Sequence, residues 1–287
     1  MADSRWVSTS GDLNAAASYA PSGVPADTGS LYFDGSSNQS VVSGLTAFSG
    51  YANGITRLWT QSPYLGDVGA NGNSLVAAIK YLIHNGSGSF YHSHLSAWPK
   101  SYIVVNSPNQ HDAFILSGTD GAGGVDLTVA VLQGHAEVLT DNTIVLGTLL
   151  VGGAGVQYPS VEIGVINACN SYRQTSGFVT TKTGLGTSTD RALIDGGTLI
   201  YDSTATSGWA NVEVAGGLFE YNGTGTMAFC IVSSGTLDMN QDSRAKTITK
   251  LILMPGANFL THDNITVPSG GFFDYRVSPP ILGGSLP

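Results

Sequence analysis

Three histidines in the N-terminal half of the chain lie at a spacing that could bind a metal ion. His92 and His94 are separated by a single serine, and His84 precedes them. Residues two apart in a β-strand point to the same face, so His92 and His94 could chelate one ion, with His84 as a third ligand. The alternative is an edge cluster of ordinary polar residues beside Tyr91 and Trp98. We favour this alternative and predict no bound metal and no cofactor.

Two acidic residues, Glu220 and Asp238, could supply the paired carboxylates that glycoside hydrolysis requires. If the strands that carry them stack directly, the carboxylates lie roughly 5 Å apart, as in a retaining pair. Any two acidic residues in one outward column meet this distance, and these two lack neighbouring arginine, histidine and groove-forming loops. A calcium-binding cluster would need several acidic residues on one face, and the nearest candidates are Asp190, Asp195 and Asp202. These residues fit a solvated turn better. The chain has no GxSxG, HExxH or P-loop motif, so we predict that it is not an enzyme.

The composition favours strands over helices. Of the 287 residues, 38 are glycine and only 11% are charged, while Ser, Thr and Asn are frequent. This mixture disfavours helices and is typical of short strands joined by tight turns. The net charge of -9 opposes binding to a phosphate backbone, and the 11 Lys and Arg are spread along the chain. We therefore predict an all-β protein without a nucleic-acid partner.

The sequence shows no export or membrane-insertion signal. The N-terminal stretch MADSRWVSTSGDLN has no apolar h-region, and no run approaches the roughly 20 apolar residues of a membrane helix. We therefore expect folding in a cytosol and no membrane partner. Cys169 and Cys230 are too few for a disulfide framework and are not spaced as CxxC, so we predict two buried free thiols.

A seven-residue sequence motif occurs three times, at intervals of about twenty residues. The copies are GGTLIYD (196–202), GGLFEYN (216–222) and SGTLDMN (234–240). A glycine followed by a short β-prone stretch recurs in the same way at Gly134, Gly153, Gly177, Gly197, Gly217, Gly235 and Gly256. A period near twenty with strand patterning predicts a parallel β-helix, or β-solenoid, in which each coil stacks on the one below. A β-sandwich with meandering strands is the alternative.

The glycines also predict which side chains form the core. The positions two and four places after each glycine should point inward, and the positions between them should point outward. For the last four coils the predicted inward residues are Leu199, Tyr201, Phe219, Tyr221, Leu237, Met239, Asn258 and Leu260. The predicted outward residues include Ile200, Glu220, Asp238 and Phe259.

Three regions follow from these patterns. Residues 1–60 are predicted to form an N-terminal arm or β cap, and residues 61–267 the β-solenoid. Residues 75–83, LVAAIKYLI, have some helical potential, but turns on both sides favour a strand. In residues 268–287 the ladder dissolves into a proline-rich segment, which we predict to be an extended C-terminal arm.

Several short motifs precede and accompany the glycine ladder. They are Trp6-Val7, Gly11-Asp12, Val24-Pro25, the FDG of 33–35, the SVVSGL of 40–45, GNSL and YH. Together with the ladder, this pattern resembles bacteriophage structural proteins, in particular β-helical virion proteins of the capsid decoration or head-fibre type, which usually assemble as trimers. The resemblance covers most of the chain and implies no catalytic residues.

The resemblance implies a capsid decoration (cement) protein on the outer capsid surface of the virion. We expect a homotrimer that binds the major capsid protein through residues 1–60 and the C-terminal arm. The candidate partner-binding residues are Trp6, Phe272, Phe273, Tyr275 and Ile281. The aromatic residues Trp59, Tyr64, Trp98, Tyr172 and Trp209 could instead stack on sugars or simply be core.

Two other functions stay open at this stage. The first is a phage tailspike or fibre that binds glycans on the host surface, with or without cleaving them. The second is a bacterial adhesin-like β-helix, which the missing export signal disfavours.

Overall fold

The computed structural model describes residues 3–95, 97–119, 126–153, 157–186, 191–204 and 209–286. In these ranges the first strands are β1 (Asp3–Trp6), β2 (Tyr19–Ala20), β3 (Ser30–Phe33), β4 (Ile55–Thr60), β5 (Leu75–Ala77), β6 (Ile79–His84), β7 (Phe90–His94), β8 (Lys100–Asn106), β9 (Phe114–Thr119), β10 (Asp126–Gln133), β11 (His135–Val138), β12 (Asp141–Val151) and β13 (Ser160–Ile163). The later strands are β14 (Ile166–Gln174), β15 (Phe178–Thr181), β16 (Ala192–Ile194), β17 (Thr198–Tyr201), β18 (Trp209–Val214), β19 (Leu218–Tyr221), β20 (Gly225–Val232), β21 (Thr236–Asp238), β22 (Lys246–Leu253), β23 (Asn258–Leu260), β24 (Ile265–Thr266), β25 (Phe272–Asp274) and β26 (Ile281–Gly284). A 3-10 turn spans Ala16–Ser18, and no helix in the described ranges combines the length and apolar character needed to cross a membrane.

The described strands form one sheet of 16 strands and one of 10, which we call the long sheet and the short sheet. From β4 to β23 the even-numbered strands belong to the long sheet and the odd-numbered strands to the short sheet. Successive members of each sheet pair in parallel. Each turn of the chain therefore adds one strand to each sheet. The prediction of an all-β parallel β-solenoid is confirmed, with about ten turns.

Strict alternation of side chains builds the core between the sheets. In β17 and β19 every second residue is buried, and Leu199 lies directly beneath Phe219, which in turn pairs with Leu237. All six inward residues predicted for the three copies of the seven-residue motif are fully buried. Because parallel pairing places equivalent residues on top of each other, one apolar column runs through these turns. The two predicted free thiols, Cys169 and Cys230, are also buried in this core.

The prediction fails in the last turn, where the inward and outward faces are exchanged. Thr236 pairs with Asn258, so Ala257 occupies the place of Gly235, and Gly256 lies one residue earlier. Phe259 therefore packs against the core, whereas Asn258 and Leu260 are exposed. A shift of one residue reverses every side chain in a strand, because the side-chain period is two.

A second correction concerns Gly153, which does not precede a strand. Ser160 pairs with Phe178, so Pro159 occupies the place that Gly177 has in the next turn. The strand thus begins six residues later than a count from Gly153 predicts. The segment 75–83 is β-strand as predicted, but it comprises two strands, β5 and β6, that meet at a corner at Ala78.

Both ends of the solenoid are closed by antiparallel pairs. β1 pairs in parallel with β3 and antiparallel with β2, so stacking of the long sheet already begins within residues 1–60. At the other end β25 pairs in parallel with β22, and β26 returns antiparallel to β25. Residues 272–284 thus fold back onto the last turn, where we expected an extended arm. The long sheet therefore ends in short antiparallel strands, whereas the described short sheet ends in β5 and β23.

The turn glycine of the repeat should be strictly required at Gly197. Its φ of +76° suits glycine, and a Cβ there would collide with the backbone oxygen of Gly177 in the turn below. We expect Gly197→Ala to lower the free energy of unfolding by at least about 2 kcal/mol. The matched control is Gly50→Ala, because a Cβ at Gly50 would have nothing within 4 Å. Urea denaturation measures both variants, and equal midpoints would contradict the prediction.

Candidate functional site

His92 and His94 share one face of β7, as predicted, but that face is the core. Both side chains are buried, at 0% and 1% exposure. The Nδ1 of His92 lies 3.0 Å from the backbone oxygen of Leu75, so Nδ1–H donates there. The Nε2 of His92 then accepts from Nδ1–H of His94 at 3.2 Å. Both nitrogens of His92 are thus used within the protein, in the neutral form.

His84 is buried in β6, where it is also held by two hydrogen bonds. Its Nε2–H donates to the backbone oxygen of Gly88 at 3.1 Å, and its Nδ1 accepts from the hydroxyl of Thr60 at 2.7 Å. The Thr60 oxygen in turn accepts the backbone N–H of Gly86 at 3.1 Å. His84 and His92 therefore offer no lone pair to a metal ion. In the described ranges no group of three or more His, Cys, Asp or Glu is placed to hold a metal.

The acidic pair lies on neighbouring strands in the same column, because Glu220 pairs with Asp238. Asp238 is buried at 4% exposure. Its carboxylate accepts the backbone N–H of Asn240 at 2.8 Å and the side-chain amide of Gln241 at 2.6 Å. Since these groups occupy its oxygens, Asp238 stabilises the turn after β21.

The other acidic candidates do not converge on one site in the described structure. Asp195 forms an ion pair with Arg173 at 3.6 Å, and Asp202 forms one with Arg244 at 2.7 Å. Asp190 lies outside the described residues. Each of these two aspartates thus pairs with an arginine, although Arg244 also pairs with Asp242.

The five candidate partner-binding residues differ in accessibility. Trp6 and Phe272 are buried, at 0% and 2% exposure, and belong to the core. Ile281 packs against that core, and the Phe273 ring lies 5.1 Å from the Lys250 ammonium. Tyr275 is exposed. Phe273 and Tyr275 are therefore the candidates best placed to contact another molecule.

A stripe of apolar and aromatic side chains, which the sequence analysis missed, runs along the outer face of the long sheet. Its members take the same position in successive strands, and each is half-buried or exposed. We call this set the outer stripe, and it consists of Tyr32, Trp59, Ile83, Val104, Ala130, Leu150, Leu193, Ile231, Ile252, Phe273 and Leu282. Arg173 and Glu213 fill the two remaining places. Arg173 forms an ion pair with Asp195, and Glu213 forms one with Arg191.

The outer stripe extends along almost the whole solenoid. With strands about 4.8 Å apart, its thirteen positions span about 60 Å. Beside it, Tyr81 and Tyr102 stack on each other with ring centroids 5.5 Å apart. A half-buried to exposed apolar surface of this length, interrupted at Arg173 and Glu213, is typical of an interaction site.

The outer face of the short sheet has a different character. Its central column contains Glu137, Glu162, Thr180, Ile200 and Glu220. Ile200 is the one apolar residue among these five, and it lies between polar neighbours. Apolar residues occur on this face too, since Ile115 and Tyr91 continue the column and Phe178 is 45% exposed beside it, but they are fewer and more scattered than on the long sheet.

No protein-family model, curated protein or solved structure matches the chain.

The buried histidines should make the protein sensitive to mild acid. Burial lowers the pKa of His84 from 6.5 to about 4, and burial next to His94 also lowers the pKa of His92. The unfolded chain binds these protons at higher pH than the folded chain. Stability is therefore complete above about pH 6.5 and decreases as pH falls toward the folded pKa. At pH 5 His84 and His92 should each lower the free energy of unfolding by on the order of 2 kcal/mol, relative to its value above pH 6.5.

Urea midpoints near pH 7.5 and near pH 5 test this expectation. The midpoint should fall at the lower pH in the wild type. It should fall less in His92→Gln, because that variant lacks one titrating group. His111→Gln, at an exposed histidine, is the matched control and should behave like the wild type. An unchanged pH response in His92→Gln would contradict the prediction.

Proposed function

We propose that this chain is a structural protein of a bacteriophage virion, a capsid decoration (cement) protein that acts as a homotrimer. It binds the major capsid protein on the outer surface of the capsid and stabilises the lattice, without catalysis and without a cofactor. The outer stripe is the observation that carries the proposal, because a protein that acts alone gains nothing from a long exposed apolar surface.

The dimensions of the outer stripe suit self-association. A surface about 60 Å long and on the order of 10 Å wide covers about 600 Å² per copy. Stable interfaces bury about 800 Å² per partner, so the stripe and its margins approach this size. A second copy has the same length and the same strand repeat, which makes it a matching partner. A closed ring of three copies would leave no stripe exposed.

The C-terminal end of the solenoid supports a role in attachment. Tyr275 and Val277 are 40% and 44% exposed and lie between the last two strands, outside the outer stripe. Burying such side chains against a capsid protein contributes roughly 1.5–3 kcal/mol each when burial is complete. Deletion of residues 268–287 would also remove Phe272, which is core. Point substitutions are therefore the better test of attachment.

Light scattering coupled to gel filtration should give about three times the chain mass of 29.6 kDa. Replacing Ile231 and Ile252 together by Lys should yield monomers, because the charges would be buried in the contact between copies. The matched control replaces Thr198 and Asn258, on the outer face of the short sheet, by Lys and should stay trimeric. A monomeric wild type would contradict self-association through the stripe.

The copy number in purified particles, relative to the major capsid protein, should be one or a simple fraction of one. Quantitative mass spectrometry measures this ratio. The double variant Tyr275→Ser, Val277→Asp should bind particles at least tenfold more weakly, whereas Tyr158→Ser, at an exposed residue midway along the chain, should bind normally. A ratio of a few per cent would instead favour a tailspike or fibre, and absence of the chain would exclude both functions.

A further inference from the structure

A shallow groove crosses the margin of the long sheet near its N-terminal end. Trp59 forms one wall, and four primary amides line the rest, those of Gln61, Asn85, Asn106 and Gln133. Serine and proline complete the lining, and no charged side chain contributes to it. We call this feature the amide groove.

The fold places three of these amides in a regular row. Thr60 pairs with His84, which pairs with Val105, and the amide residues Gln61, Asn85 and Asn106 each follow directly. Their backbones are therefore spaced at about 4.8 Å along the solenoid. Gln133 continues the row, because it pairs with Asn106.

The buried histidine network holds the floor of the amide groove in place. The hydroxyl of Thr60, which donates to His84, also accepts the backbone N–H of Asn85 at 3.2 Å. The amides lie at the ends of paired strands or directly after them, so little backbone ordering is required when a ligand binds.

The polar groups of the amide groove are available to a ligand. The side chains of Gln61, Asn85 and Asn106 hydrogen-bond no other residue in the described ranges. In the same ranges the indole N–H of Trp59 has no hydrogen-bond acceptor, but it is buried, so a ligand would contact the ring and not this group. Gln133 is the exception, since its side-chain N–H donates to the Gln157 amide oxygen at 2.9 Å. A row of unused donors and acceptors beside an indole is suited to a ligand rich in hydroxyl groups.

We infer that the amide groove binds a neutral glycan. A primary amide can donate to one hydroxyl and accept from another, and an indole offers an apolar surface to the C–H face of a sugar ring. The uncharged lining and the net charge of -9 disfavour anionic glycans. An extended peptide is a weaker match, because β4, β6 and β8 are paired on both sides and offer no free edge. The inference requires Trp59 to be accessible, and it therefore competes with burial of this member of the outer stripe in the proposed trimer.

An array of neutral oligosaccharides tests the inference with the intact protein. Homo-oligomers of glucose, galactose, mannose and N-acetylglucosamine serve as probes, with sialylated and sulfated glycans and an extended-peptide library for comparison. We expect at least one neutral oligosaccharide to bind, and calorimetry then gives its affinity. No neutral binding at millimolar concentration, or binding only to charged glycans or peptides, would overturn the inference.

Variants locate the binding site on the molecule. Trp59→Ala and the double variant Asn85→Ala, Asn106→Ala should each lower the affinity at least tenfold. Trp98→Ala is the matched control, because Trp98 lies outside the amide groove, with its ring 4.9 Å from the Lys80 ammonium. Asn106 is exposed, so Asn106→Ala alone should fold even if Trp59→Ala does not. Equal affinity in the wild type and in the folded groove variants would place the site elsewhere and overturn the inference.

The same samples separate this inference from the proposed function. Light scattering reports the oligomeric state of every variant before glycans are added. A monomeric wild type that binds neutral glycans through Trp59 would support the amide groove and contradict the trimer. A trimer that binds no neutral glycan would contradict glycan binding by the amide groove and support self-association.

Discussion

The register of the parallel strands is the constraint on which the rest of the structure depends. Because Leu58 lies on Leu82 and Leu82 on Ile103, each position of one turn inherits the surroundings of the same position below. A polar residue that enters an inward column must therefore find its hydrogen bonds within the stack. Gln174 does so, since it accepts from the Tyr172 hydroxyl and donates to the backbone oxygens of Gly177 and Thr198.

Charged groups obey the same constraint where the stack approaches its C-terminal end. The Lys246 side chain has no exposed surface, and its ammonium donates to the Asp242 carboxylate at 2.9 Å. It also donates to the backbone oxygens of Asp242 and Arg244. Because all three donors are used and the charge is paired, this buried ammonium ties the turn before β22 to the strand itself.

Much of the fold follows from the sequence because a solenoid repeats one local rule. Period-two alternation after a turn glycine places Leu199 and Tyr201 inward, and the following turns copy it. The rule fails in the last turn because Gly256 lies one residue before the turn position that Gly235 has in the preceding turn. The composition does not reveal this difference of one residue. His92 and His94 share a strand face with Phe90, which could have indicated that they point inward. The hydrogen-bond partners are distant in sequence, Leu75 for His92 and Thr60 for His84. The pairing of the strands was therefore needed to find them.

The outer stripe had a signal in the sequence that alternation alone obscures. Strands such as β8 and β10 are apolar at consecutive positions, which is typical of strands covered on both faces. One face of each covers the core, and the other forms the stripe. The strands of the short sheet alternate with polar residues such as Glu137 and Glu162 instead. Both sheets have the same turns, register and core, so the backbone does not require this difference. An asymmetry that folding does not need is best explained by what each face meets, and this is why we propose that the long sheet contacts another copy.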